Sequence, residues 1–290
     1  VPSTTPENGS EELRVLTFNV RMLPYFSDLK RARRIADAIR AREPAYDVVC
    51  LQEVFCDRAR AIFARELKDP FPYIDEPSGG DRWRFNSGLF TASRHRPVNR
   101  AFTGYGLGGI FGADFLAEKG ALALELELSG DTRVHLFHTH VQSLALYRRT
   151  RREQLSRLSR FVHDVMGQAS RERNRAALLL GDLNVPGGSG SPADSDEYED
   201  LLAVLGRPRD LFREANPADP GLTHPATEPT QRLDYVLAFD RHHVGEESRP
   251  LRTWTVHQAK VNPHGEEGVS LSDHLAVEAE LKLESASSLQ

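Results

Sequence analysis

What most constrains this chain is a repeated pattern: short apolar runs that end in an acid, an amide or an imidazole. Asn19 closes the run from Arg14, and Glu53 closes Asp47 to Glu53. His140 closes Val134 to His140, and Asp182 and Asn184 follow Leu178-Leu179-Leu180-Gly181. Asp234 sits within Arg232-Leu233-Asp234-Tyr235, and Asp273-His274 opens the run to Leu283. Runs of about four to eight apolar residues are characteristic of strands buried on both faces. Burying so many acids and imidazoles is costly unless they meet one another, a metal or a substrate. The pattern therefore predicts sheets whose strand ends converge on one polar centre.

Helices are expected between these strands. Leu29, Ala32, Ala36 and Ile39 recur at helical spacing opposite Arg31, Arg33, Arg34 and Arg40, and Pro44 stops that helix. Ala59, Ile62, Phe63 and Leu67 mark a second helix, ended by Pro70. A long one runs from about Ala145 to Met166. Ser87 to Ser93 reads as a strand, and Gly104 to Gly112 as a glycine-rich loop. Leu122, Leu124, Leu126 and Leu128 give one strand a single apolar face, with Val134 to His140 as its hairpin partner. In the last strand Leu275, Val277, Ala279, Leu281 and Leu283 share a face, and Pro186 to Asp194 reads as a surface loop. The predicted class is α/β (α+β), a four-layer sandwich of two mostly antiparallel β-sheets packed together and flanked by helices. The expected organisation is an N-terminal arm over 1–12, one catalytic domain over 13–284 and a short tail over 285–290.

Composition narrows the partners. The net charge of −5 counts against a dedicated nucleic-acid binder, though a local basic stripe remains compatible with it. Arg148, Arg149, Arg151 and Arg152 have two readings: a solvated helix face, or a patch that steers an anionic substrate or lipid. Cys50 and Cys56 are the two cysteines, and a bridge across so short a span is disfavoured. No apolar run approaches the ~18 residues needed to span a bilayer. The opening Val1 to Ser10 is polar and proline-rich, as in a secreted protein after removal of a signal or in a trimmed chain.

The residue types at the strand ends suit metal-assisted attack of water on a phosphoester. Glu53 and the Asn19 amide oxygen fit a hard cation such as Mg²⁺. His274 can take the proton from water, with Asp234 fixing its tautomer. Asn184 and His140 can hold phosphoryl oxygens where charge develops. Taken singly, each is more often a solvated turn residue, a helix cap or a surface imidazole. His135, His138 and His140 raise the question of zinc, but no cysteine or HExxH spacing supports it.

The segments FNV, QE, THVQS, GDLN, RLDY and SDH, in that order, resemble the endonuclease/exonuclease/phosphatase superfamily, the DNase-I-like fold, over about Arg14 to Leu283. Within it, Asn19-Val20-Arg21-Met22-Leu23-Pro24, Leu51-Gln52-Glu53-Val54-Phe55, Asn86-Ser87-Gly88-Leu89-Phe90, Glu118-Lys119-Gly120-Ala121 and Thr139-His140-Val141-Gln142 are similar to neutral sphingomyelinases and secreted bacterial phospholipases C. The resemblance implies that Glu53 binds Mg²⁺, which Mn²⁺ or Co²⁺ could replace, with Asn19 in its coordination sphere. It places Asp273 in the metal or histidine shell, His274 as activator of water and Asp234 as its orienter. It sets Asp182 and Asn184 against phosphate or nucleophile, and His140 against the phosphate or leaving oxygen. Asp114 and Lys119 match a regulatory pair.

The implied reaction splits sphingomyelin into ceramide and phosphocholine, or a related phospholipid into diacylglycerol and a phosphorylated head group. The implied setting is a secreted or periplasmic monomer acting on a phospholipid membrane surface, with no stable nucleic-acid partner. There are departures. The stretch from Asp240 to Leu271 has Trp254 as its only aromatic, with an expected charged tip at His264 to Gly268, where some bacterial members carry an aromatic hairpin. The Leu107 to Phe115 loop, with Ile110, Phe111 and Phe115, could serve as an apolar lip or pack in the core. A nuclease of the same fold, an inositol-phosphate or phosphoinositide phosphatase using Arg82, Arg84 and Arg94, and an inert scaffold are the competing readings.

Overall fold

Each of the two sheets is built around one parallel pair, and the ends of those two pairs carry the polar centre. The computed structural model describes residues 11–24, 28–80, 85–106, 117–168, 174–188, 192–244, 247–265 and 270–284. The first half of the chain gives β1 (Glu12–Met22), α1 (Leu29–Arg40), β2 (Val48–Val54), α2 (Asp57–Glu66), β3 (Tyr73–Asp75), β4 (Phe90–Ser93), β5 (Pro97–Gly104), β6 (Gly120–Ser129) and β7 (Thr132–His140). Then come α3 (Arg148–Gln168), β8 (Arg175–Gly187), α4 (Pro192–Val204), β9 (Arg209–Asp210), α5 (Leu211–Ala215) and β10 (Arg232–Phe239). A small hairpin, β11 (Arg241–Val244) and β12 (Glu247–Pro250), precedes β13 (Trp254–Asn262) and β14 (Ala276–Leu283).

The first sheet runs β13-β14-β1-β2-β4-β3 and the second β5-β6-β7-β8-β10-β9. In each, only the central pair is parallel: β1 with β2, and β7 with β8. A parallel pair needs a crossover, which α1 and α3 supply. Asp28 caps α1 by accepting from the Lys30 N–H, and the helix buries Ala32, Ile35, Ala36 and Ile39.

Three apolar layers hold the sandwich together. The layer between the sheets contains Val15, Cys50 and Val277 from one side and Leu124, Leu136 and Leu180 from the other. Alternate residues face outward. Leu16, Val49 and Leu51 pack with Ala36 of α1 and Phe63 of α2, and Phe137 and Leu179 pack with Leu158 of α3 and Leu201 of α4. The predicted four layers are therefore present, and both sheets are mixed but mostly antiparallel.

Several local expectations change. β8 continues to Gly187 and α4 begins at Pro192, so Pro186 to Asp194 is not one surface loop. The arm assigned to 1–12 already carries structure at its end: Glu12 starts β1, and Glu11 pairs with Arg252. His264 is no exposed tip. It is buried against Phe18 and Tyr46, and burial lowers its pKa to about 4. Arg151 does not belong to a solvated face. It is buried, and its guanidinium grips Glu197 at 2.7 and 3.1 Å. Cys50 and Cys56 are free thiols. The Leu107 to Phe115 loop, Asp114, Arg82 and Arg84 lie outside the described residues.

Candidate active site

Parallel strands end together, and that brings the sequence-distant polar residues into one place. Asn19 and Gln52 are register partners on β1 and β2, and His140 and Asp182 are register partners on β7 and β8. Asp234 on β10 stands opposite Asp182. Asn19 lies on the face of β1 that meets the second sheet, but strict alternation would turn Glu53 toward the helices. Its φ of 59° breaks the alternation and returns its carboxylate to the centre.

The Asn19 amide is the hub. Its Nδ2 donates to Glu53 Oε1 and to Asp182 Oδ2, both at 2.9 Å, while its Oδ1 accepts from the Arg21 N–H at 3.1 Å. His140 Nε2 lies 3.6 Å from Asp182 Oδ2 and 3.9 Å from Glu53 Oε1. On the far side His274 Nδ1 meets Asp234 Oδ2 at 2.9 Å, and its Nε2 points toward Asp182 Oδ2 at 3.8 Å. Asn184 binds the loop after β7 through Val141 O at 3.0 Å, and its N–H donates to Asp182 Oδ1 at 2.9 Å.

The electrostatics are dominated by buried carboxylates. Burial, reinforced by Asp234, raises the Asp182 pKa to about 7. Burial alone would lower His274, but Asp234 and Asp182 outweigh it and drive that ring toward its charged form. Asp182, Asp234 and His274 place ligand atoms within 4.8 Å of one another, so they too are a group that could hold a cation.

A family model described as the endonuclease/exonuclease/phosphatase family matches residues 16–274. The chain belongs to the endonuclease/exonuclease/phosphatase family. Sphingomyelinase C 2 of Leptospira interrogans is 25% identical over 226 residues, which cover 67% of this chain and 33% of that protein. Sphingomyelin phosphodiesterase 3 of Mus musculus is 35% identical over 186 residues, covering 58% of this chain and 28% of that protein. The chain thus spans about a third or less of the length of these curated relatives. Sphingomyelinase C from Streptomyces griseocarneus superposes with a TM-score of 0.65 at 22% identity, over 93% of this chain and 99% of that one. A mutant beta toxin from Staphylococcus aureus with bound magnesium ions gives 0.67 at 20% identity, over 92% and 99%. D. rerio TDP2 complexed with a single-strand DNA product gives 0.66 at 14% identity, over 93% and 99%. The fold is the DNase-I-like sandwich that these structures share.

Two further residues named from the sequence, Asp273 and Lys119, are held by partners at the edge of the centre. Asp273 is engaged by Arg21 at 3.0 Å and by the Ser272 hydroxyl at 3.2 Å, on the wall of a cavity of about 370 Å³ also lined by Arg31 and Leu271. Lys119 is buried and donates to His140 Nε2 at 2.9 Å and to Val141 O at 2.7 Å. That contact makes Nε2 of His140 an acceptor in this arrangement.

Arg94, grouped earlier with a possible basic pocket, salt-bridges Asp47 at 3.5 Å. Asp47 precedes β2, six residues and roughly 20 Å of strand from Glu53, so Arg94 is not part of the centre. The three histidines of β7 do not converge either. His138 and His140 face the first sheet, whereas His135 faces the α3 side beside Ala123, Val165 and Gln168. His224 escaped the sequence reading. Its ring packs on His274 with centroids 4.6 Å apart, and nothing in Thr223-His224-Pro225 announces that contact.

Proposed function

We propose that this protein is a divalent-metal-dependent phosphodiesterase that hydrolyses sphingomyelin, or a related phospholipid, to ceramide or diacylglycerol and a phosphorylated head group. The observation that carries the reading is the His274–Asp234 pair aimed at Asp182, beside two carboxylate oxygens that converge on one amide. The names of the relatives supply the choice of lipid among phosphodiesters.

The residues fit a hard cation. Glu53 and Asp182 offer anionic oxygens that approach the same point, and the elevated pKa of Asp182 marks negative charge that its buried surroundings leave under-compensated. Asn19 would join them through its amide oxygen after a flip. Bound there, Mg²⁺, or Mn²⁺ or Co²⁺ in its place, would polarise a phosphoryl oxygen as a Lewis acid.

The chain's own residues account for the remaining steps. In the neutral ring Asp234 holds the proton on His274 Nδ1, so Nε2 is the nitrogen that would take a proton from water once the negative charge of Asp182, which favours the charged ring, is offset. Asn184 and His140 lie where phosphoryl or leaving oxygens would need donors, and His140 can donate from Nε2 once the Lys119 ammonium withdraws. Asp273 acts as support, holding Arg21 and the segment before His274 in place.

Phosphocholine release from sphingomyelin vesicles, measured with Mg²⁺ and with EDTA, and against phosphatidylcholine and plasmid DNA, tests the reading. Mg²⁺-dependent release from sphingomyelin supports it. Nicked plasmid with inert lipid would move the activity to the nucleases, the second reading that the DNA-bound neighbour of the same fold keeps in play.

A further inference from the structure

Three local costs coincide on one stretch of the rim beside the site. Leu144 and Leu146 are 50% and 68% exposed, and among the described residues only Tyr73 joins them as an exposed large hydrophobic side chain. Leu144 has a φ of 68°, a backbone region that a branched side chain rarely enters. The helix that follows, α3, opens with Arg148, Arg149, Arg151 and Arg152 and has no acid in its first turn. A helix N-terminus repels cations, so this charge is placed against the dipole. Arg151 explains itself by its buried pair with Glu197 and by holding Leu144 O at 2.6 Å. Arg149 and Arg152 have no such structural use: both are exposed, and Arg149 meets only Glu153, at 3.3 Å, in solvent.

The position of this stretch gives the costs a common purpose. Leu144 lies four residues beyond His140, and α3 starts at the same edge of the sheet, since it crosses back from the end of β7 to the start of β8. The leucines and arginines therefore share a rim with Glu53, Asp182 and His274. We propose that Leu144 and Leu146, with Arg149 and Arg152 behind them, form the surface by which this protein docks on an anionic lipid bilayer. The leucines would enter the acyl boundary while the guanidinium groups stay at head-group level. Arginines alone would suit nucleic acid equally well; two exposed leucines, separated by Ala145 alone, suit lipid. The proposal rests on the reading of a lipid substrate, yet it concerns binding and can be tested without turnover.

The test is vesicle sedimentation in EDTA, using phosphatidylcholine–sphingomyelin vesicles with and without phosphatidylserine. Turnover of soluble bis(p-nitrophenyl) phosphate with Mg²⁺ runs in parallel. Leu144→Ser with Leu146→Ser is expected to weaken partitioning to both vesicles by about tenfold or more. Arg149→Gln with Arg152→Gln is expected to lose about fivefold per residue on the anionic vesicles only, an effect that salt abolishes in the wild type. Soluble turnover should stay at the wild-type rate in both. Unchanged partitioning, a matching fall in soluble turnover, or an arginine-only loss of single-stranded DNA binding would each overturn the proposal. Variant-sensitive vesicle binding by a protein that releases no head group would uphold the docking surface and overturn the lipid substrate instead.

Discussion

His274 Nδ1 and Asp234 Oδ2 are 2.9 Å apart and both residues are more than nine-tenths buried, so water does not compete for this hydrogen bond. Burial on this scale makes the pair a fixed tautomeric device: the acceptor on Asp234 dictates which ring nitrogen bears the proton. Asp234→Asn keeps the shape and reverses the hydrogen bond. It is expected to lower turnover by about 10³- to 10⁴-fold in a protein that remains folded. A variant within tenfold of wild type would remove His274 from the role of base.

Glu53 and Asp182 converge on Asn19 from different sheets. Calorimetric titration with Mn²⁺ is expected to show binding by the wild type and a loss of about 10- to 100-fold or more in Glu53→Gln and Asp182→Asn. Equal affinity in both variants would place the cation elsewhere in the molecule. Because Asp182 holds a proton more readily than an ordinary carboxyl, cation uptake near neutral pH should also release protons, visible as a buffer-dependent heat.

Gly181 has a φ of +148°, and a Cβ there would come within 1.9 Å of Thr139 O. The clash is with backbone of the neighbouring parallel strand, which cannot yield without moving His140 and Asp182 apart. Gly181→Ala is therefore expected to cost more than about 3 kcal/mol, or to prevent folding, as read by urea denaturation.

His138 is buried between the sheets, with Gln52 Nε2 at 2.7 Å and Thr91 Oγ1 at 2.9 Å, and desolvation lowers its pKa to about 3. The unfolded chain binds this proton below about pH 6.5, while the fold refuses it. The stability tied to His138 is therefore complete above that pH. It falls by about 1.4 kcal/mol per pH unit as the pH drops toward 3. His274, raised toward its charged form, acts in the opposite sense: its contribution is complete below the unfolded value and is lost as the pH rises through the folded one. Denaturation between pH 6 and 4 should show a shallower decline for His138→Gln than for wild type; parallel slopes would mean that His138 is already charged in the fold.

The pattern of apolar residues was enough to determine β1, α1, β2, β7 and the last strand, because the strands are buried on both faces and read as short apolar runs, while α1 buries one stripe at helical spacing. It also determined which residues close those strands, and hence Asn19, Glu53, His140, Asp182, Asp234 and His274 as a candidate set. β13 and α4 left a weaker trace. β13 is an edge strand with His257, Gln258 and Lys260 exposed, and α4 follows a glycine-rich stretch and carries five acids that blur its apolar stripe.

What the tertiary structure alone decided is how the set faces itself. The positive φ of Glu53 turns a side chain that alternation would send to the helices, and no local propensity encodes that turn. Arg151 lies in a run of arginines that a one-dimensional reading treats alike, yet it is buried because Glu197 arrives from a helix 46 residues away. Lys119 meets His140, and His224 covers His274, through loops whose courses depend on both sheets being assembled. A sequence pattern specifies which face of an element is buried, since that depends on neighbours along the chain. Which polar atom meets which depends on contacts between distant segments, and these exist only once the sandwich has closed.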